Sequence, residues 1–188
     1  MKEIFVDQRE IEKLGGVAVK YPVSFLLSKI FRELQAKRIL DVTYGRGRFY
    51  KVYRPKLLVG CDPVIWEWVV NPDIFIRRPV WGVYDVLKKI NYFNFDIIVV
   101  DPPFGQRGSK RPEYFTEHAL GGPDFIISCA FELATRIKTP YVLLHYKKRT
   151  RVPNWDIVKT IKFQYFARYL KNPETNNTYF ILYENKKT

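Results

Sequence analysis

Apolar residues fall into short blocks separated by turn chemistry. Over 24–34, SFLLSKIFREL, the positions Phe25, Leu26, Ile30, Phe31 and Leu34 recur at helical spacing and predict an amphipathic helix. The next blocks are shorter and more continuous. RILDV (38–42) predicts a strand, broken by the two glycines of YGRGR, and LLVGCD (57–62) predicts a second. VIWEWVV (64–70) can open a helix whose length Pro72 limits. FIRRPVWGVYD (75–85) holds a weaker third strand, around 78–83. FDIIVV (95–100) and YVLLHY (141–146) are apolar on both faces, the pattern of strands inside a parallel sheet. DFIISCAFELATRI (124–137) predicts a helix leading into the second of them.

The C-terminal pattern changes. FQYFARYL (163–170) and TYFILYE (178–184) read as aromatic-rich strands joined by KNPETNN, and so short a connection makes them antiparallel neighbours. β/α alternation followed by a hairpin predicts an α/β fold: a doubly wound, mostly parallel sheet with one reversed strand near its end. With 188 residues and neither repeat nor long linker, the chain reads as one domain, 1–188. Within it, 1–37 is a helical lead-in and 38–188 the core.

Composition narrows the partners. Thirty-two Lys and Arg against 19 Asp and Glu give a net charge of +13, which calls for a polyanion. Nucleic acid fits better than a membrane, since no run approaches the roughly 20 apolar residues of a spanning helix. The N-terminus, MKEIFVDQREIEK, is charged and lacks the apolar core of a secretion signal, so a cytoplasmic location is expected. Cys61 and Cys129 form neither a disulfide framework nor a metal pattern, and Cys61, inside an apolar run, reads as a core residue.

Candidate chemistry lies at the strand ends, where open α/β sheets bind ligands. Asp41, Asp62, Asp85 and Asp101 each close, or nearly close, a successive apolar run. Such a row of carboxylates suits hydroxyls and a cationic group rather than phosphates. The first loop, DVTYGRGRF (41–49), lets the backbone pass close under a ligand at Gly45 and Gly47. It is not a dinucleotide fingerprint, because Tyr50 stands at the place of the third glycine, and a phosphate loop would need Gly-Lys-Ser/Thr. An acid about 20 residues further on suits a ribose with both hydroxyls free.

D-x-T-x-G-x-G-x-F after the first strand, acids ending the second and third, and DPPF ending the fourth resemble the Rossmann-like, class I S-adenosylmethionine-dependent amino-methyltransferases, whose signature is [DNS]-P-P-[YFW]. The resemblance runs over roughly 38–147, and the closing hairpin is similar to that family's antiparallel seventh strand. It implies a seven-stranded sheet and S-adenosyl-L-methionine as cofactor. It also implies that Asp41, Thr43, Gly45 and Gly47 line the methionine end, that Asp62 takes the ribose hydroxyls and that Asp85 binds the adenine amino group. No metal is implied. Arg46 and Arg48 stand where the family has small or neutral residues; they either hold the cofactor carboxylate or crowd the site. VKYPVS (19–24) either closes over the cofactor, as a segment before the first strand does in several members, or simply leads into the helix.

DPPF fits the chemistry of a nucleobase amine. Its lone pair is delocalised into the ring, so attack on a sulfonium methyl is helped by acceptors for both N–H groups. Asp101 offers a carboxylate and Pro102 a backbone carbonyl; Pro102 and Pro103 stiffen both, and Phe104 offers a face on which an extruded base stacks. The loop GQRGSKRPEYFTEHALGGP (105–123) then reads as a lid carrying Arg107, Lys110 and Arg111 to a phosphate backbone, with His118 a polar loop residue. Lys147, Lys148 and Arg149, in HYKKRTR, leave the next strand end on the same rim. The expected substrate is an exocyclic amine of a base in DNA or RNA. The DPP-aromatic motif resembles that of many adenine N6 enzymes; guanine N2 in RNA is the alternative, and cytosine N4 is less favoured. A non-catalytic nucleic-acid-binding module on the same fold is the reading from another class, and a nicotinamide enzyme fails at Tyr50 and at the hairpin. A chain this short leaves target recognition to its loops or to a partner subunit.

Overall fold

The computed structural model describes residues 3–103, 122–164 and 177–186. Its strands are β1 (Glu3–Asp7), β2 (Arg38–Asp41), β3 (Leu57–Cys61), β4 (Ile74–Ile76), β5 (Ile97–Val100), β6 (Tyr141–Tyr146), β7 (Trp155–Gln164) and β8 (Asn177–Asn185). They form one sheet in the order β1-β7-β8-β6-β5-β2-β3-β4. β8 pairs antiparallel with both β6 and β7, and every other pairing is parallel. The helices are α1 (Gln8–Glu12), α2 (Val17–Lys20), α3 (Pro22–Glu33), α4 (Val83–Lys89) and α5 (Gly122–Arg136).

Side-chain alternation divides the core between the two faces of the sheet. Ile39, Leu58, Ile97, Val99, Leu143 and Phe180 pack on one face with Leu27, Ile30 and Phe31 of α3. Leu40, Val59, Ile98, Val100, Val142 and Leu144 pack on the other with Val83 and Leu87 of α4 and Ile126, Ala130 and Phe131 of α5. The sheet is therefore doubly wound. β5 is buried along its whole length, as its unbroken apolar run predicts. Cys61 is fully buried in the α4–α5 layer, where burial pushes its thiol well up. Among the described residues no helix is long and apolar enough to cross a membrane.

Several elements differ from the sequence reading. Among the described residues the sheet has eight strands, because Glu3–Asp7 in the expected helical lead-in adds to the edge beside β7. The third core strand is Ile74–Ile76, not 78–83. Pro79 has no N–H for a ladder, and Val80–Gly82 turn instead as a 3₁₀ segment into α4. Residues 64–70 form a loop rather than a helix, bound to the glycine turn through Tyr44 and Arg46. The first hairpin strand occupies 155–164, with only Phe163 and Gln164 inside the expected 163–170. A register shift between Ile157 and Lys159 breaks its alternation, which hides the strand from a period-two reading. Residues 165–170 lie outside the described residues.

Candidate active site

From β2 the chain moves outward through β3 to β4, then returns to β5 on the other side of β2 and continues to β6. The crevice beyond the carboxyl ends of β2 and β5 is thus the topological switch point. Asp41 ends β2, and Asp101 directly follows β5, so the fold brings these two acids together there.

The glycine loop is held from several directions. Tyr44 donates its hydroxyl to the Val70 carbonyl at 2.7 Å, and its ring lies over Gly60 of β3. Gly47 has φ +69°, and a Cβ there would fall 2.5 Å from the Tyr44 hydroxyl and 2.6 Å from the Val70 carbonyl oxygen. Gly45 also has positive φ, but a Cβ on it would meet only the Thr43 carbonyl oxygen, at 4.0 Å. One glycine is needed for packing; the other keeps a space above the loop. Arg46 points to Glu67, donating Nε to its carbonyl at 2.9 Å and pairing with its carboxylate at 3.2 Å. Arg48 is exposed.

The acids have distinct surroundings. Asp41 is buried and accepts hydrogen bonds from the Thr43 N–H at 3.0 Å and the Tyr50 hydroxyl at 2.8 Å. Burial pushes its carboxyl up to about 7, against the pull of those two donors. Asp62 is also buried; it accepts the Gly45 N–H at 3.0 Å on one oxygen and the Val64 N–H at 2.9 Å on the other. It therefore ties the glycine turn to the end of β3. Asp85 does not close a strand. It lies in the first turn of α4, exposed, because the turn at 79–82 intervenes.

Thr43 links the loop to the Asp-Pro-Pro segment. Its hydroxyl oxygen accepts the backbone N–H of Asp101 at 2.6 Å and lies 3.4 Å from an oxygen of Asp41. Pro102 is buried and Pro103 partly so. On the other side of Asp101 stands His145, a residue to which the sequence reading gave no role. Its Nδ1 is 2.9 Å from Oδ1 of Asp101, and its Nε2 is 2.9 Å from the Thr178 hydroxyl of β8. The imidazole stacks on Phe180 at 4.2 Å and 7°. A signal for it was present: Tyr141, Leu143 and His145 share a face of β6, and a histidine closes that apolar series.

Lys147, Lys148 and Arg149 leave β6 on this rim, all exposed. Lys148 is 3.5 Å from the Asp124 carboxylate and lies over the Tyr146 ring. The segment 19–24 spans the end of α2 and the start of α3, where Ser24 donates to the Phe49 carbonyl at 2.8 Å and accepts from the Val52 N–H at 3.0 Å. Phe104, Arg107, Lys110, Arg111 and His118 lie outside the described residues. Among the described residues no cluster of three or more His, Cys, Asp or Glu is arranged to hold a metal.

Neither a protein-family model nor a curated protein sequence matches this chain. Among solved structures, the chain is similar to magnesium protoporphyrin IX methyltransferase (ChlM) from Synechocystis PCC 6803, solved with bound SAM. The identity is 10% and the TM-score 0.50, over 95% of this chain and 79% of that one. At this identity the likeness is one of fold. The chain has the fold of a class I methyltransferase, with a glycine loop, strand-end carboxylates and an Asp-Pro-Pro segment around its crevice.

Proposed function

We propose that the chain is an S-adenosylmethionine-dependent methyltransferase acting on an exocyclic amino group of a nucleobase in DNA or RNA, with adenine N6 favoured. The observation that carries this reading is the placement of Asp101. It stands at the switch point, fixed through its own N–H by Thr43 and through one carboxylate oxygen by His145. The other oxygen, Oδ2, accepts no hydrogen bond from the described residues.

The surroundings fit the cofactor. Gly45 leaves room above the loop, and the buried Asp41 carboxyl would gain from a neighbouring cationic amine. Asp41, Thr43, Gly45 and Gly47 would hold its methionine end, Asp62 its ribose, and the exposed Asp85 its adenine. Asp62 accepts the Gly45 and Val64 N–H groups, which holds its carboxylate beside the glycine loop at the end of β3. Arg46 is turned to Glu67, so it does not crowd this space. Bound there, S-adenosylmethionine would supply an electrophilic sulfonium methyl.

This chain's residues would then act on the amine. Asp101 Oδ2 accepts one N–H and the Pro102 carbonyl the other, which draws the nitrogen toward a tetrahedral arrangement and stabilises the positive charge that develops on it. Because Asp101 is already fixed, little reorganisation accompanies the step. Phe104 would stack on the base, and Arg107, Lys110 and Arg111, with Lys147, Lys148 and Arg149, would meet phosphates. Guanine N2 presents a similar pair of N–H donors and is the alternative within this chemistry.

The test is transfer of labelled methyl from S-adenosylmethionine to total RNA and to unmethylated genomic DNA, followed by digestion and identification of the modified nucleoside by mass. One methylated nucleoside, lost in Asp101→Ala while S-adenosylhomocysteine still binds, is the expected result. Binding of nucleic acid without binding of S-adenosylhomocysteine would replace this reading with the non-catalytic module.

A further inference from the structure

We propose that His145 is a positioning residue, the middle of a Thr178–His145–Asp101 relay that occupies Oδ1 of Asp101 and presents Oδ2 to the amine; this rests on the function proposed above. The ring is held on one face, at an edge and at both nitrogens. It is 6% exposed, stacked face to face on Phe180 and met edge-on by Phe49 at 6.0 Å, with both nitrogens at hydrogen-bond distance from side-chain oxygens. The Asp101 carboxylate has no hydrogen to donate, so the hydrogen between the two groups belongs to Nδ1. In the neutral ring, Nε2 is then the acceptor and the Thr178 hydroxyl the donor.

The direction of the relay identifies its working end. In a hydrolase triad the carboxylate is buried and the hydroxyl faces the substrate. Here the order is reversed: the Asp101 side chain is 34% exposed, whereas Thr178 is 8% exposed in the interior. Thr178 is too enclosed to be a nucleophile, and the carboxylate is the group offered outward. With Thr43 on the backbone and His145 on one oxygen, the orientation of the acceptor is set before substrate arrives.

The first test needs no methyl acceptor. The chain has two histidines, so ¹⁵N-histidine labelling with His118→Gln for assignment gives a long-range ¹H–¹⁵N spectrum with one ring to interpret. A hydrogen on Nδ1 of His145 is expected, with that preference lost in Asp101→Ala. An Nδ1 without hydrogen overturns the relay, whatever the enzyme acts on. The second test is kinetic. His145→Phe keeps a ring on Phe180 and removes the donor. It should lower kcat by roughly 10–100-fold, the scale of one charge-assisted hydrogen bond, with S-adenosylhomocysteine affinity and KM for nucleic acid within about twofold. His145→Asn places an amide N–H near the position of Nδ1 and should recover most of that loss. Thr178→Val should slow wild type by about threefold and leave the Asn variant unchanged. Full turnover in His145→Phe, or equal losses in the Phe and Asn variants, would overturn the positioning role. A chain that methylates no nucleobase yet carries the hydrogen on Nδ1 fails the proposed function and keeps the relay.

Discussion

The hydroxyl oxygen of Thr43 accepts the backbone N–H of Asp101 at 2.6 Å. Through this bond the loop after β2 and the segment after β5, 58 residues apart in sequence, fix each other across the switch point. Thr43→Val removes both the acceptor for Asp101 and the contact to Asp41, while nearly conserving volume. It should cost about 1–2 kcal/mol of stability, because it leaves a part-buried N–H without its partner. It should also slow methyl transfer by roughly tenfold as Asp101 loosens. Thr43→Ser retains the oxygen and should restore both. Chemical denaturation beside single-turnover kinetics reads the two effects; a Val variant with normal turnover would remove the bond from the mechanism.

Asp41 makes stability depend on pH in a direction opposite to that of a salt-bridged acid. Burial raises its folded value to about 7 from the ordinary 3.8, so the folded chain keeps a proton that the unfolded chain has already released. Stability from this group is therefore lost as pH rises through that interval and levels off above about 7. Between pH 5 and 8 the loss should be roughly 2–3 kcal/mol. Asp41→Asn keeps an acceptor for the Thr43 N–H and has an amide to donate to the Tyr50 hydroxyl, but cannot ionise. Urea unfolding at the two pH values should show the slope in the wild type and a flatter response in the variant; parallel behaviour would place the carboxyl in its ordinary range.

The two glycines of the loop should separate by what they lose. Gly47→Ala drives a Cβ against the Tyr44 hydroxyl and a backbone carbonyl oxygen at positive φ, so it should destabilise the fold by about 2 kcal/mol or more. Gly45→Ala meets no close atom and carries only the strain of its φ, about 1 kcal/mol. Its methyl would enter the space proposed for the cofactor. Calorimetry with S-adenosylhomocysteine should therefore show lost binding in a Gly45→Ala protein that remains folded at 25 °C. Unchanged affinity there would move the cofactor away from this loop.

The central strands were legible because β2, β3, β5 and β6 are apolar runs whose ends coincide with a glycine pair, an aspartate, two prolines or a basic cluster. The acids at Asp41 and Asp101 followed from those ends. His145 was legible only as a polar residue on an apolar face. Its partnership with Asp101 depends on β6 lying beside β5 in the register Val100↔Leu144, and strand order is a tertiary fact. Ile74–Ile76 was missed because three residues give no period, and β1 because an edge strand with exposed Ile4 and Phe5 has no buried face to display. The switch of 64–70 from helix to loop has the same origin: Tyr44 and Arg46, from another segment, bind it more effectively than its own periodicity does.

The basic residues after β6 allow a last test, on the polymer rather than the chemistry. Lys147 and Arg149 are exposed on the rim that carries Asp101, whereas Lys148 is drawn toward Asp124 and the Tyr146 ring. If phosphates run along this rim, each engaged cation releases counterions, and the slope of log K against log salt counts them. Lys147→Ala with Arg149→Ala should reduce that slope by about 1–2, with weaker binding at every sequence and kcat at saturating nucleic acid little changed. Lys148→Ala should change it by less, since its charge is already partly answered. An unaltered slope in the double variant would leave the β6 rim to solvent and direct the search for phosphate contacts to Arg107, Lys110 and Arg111.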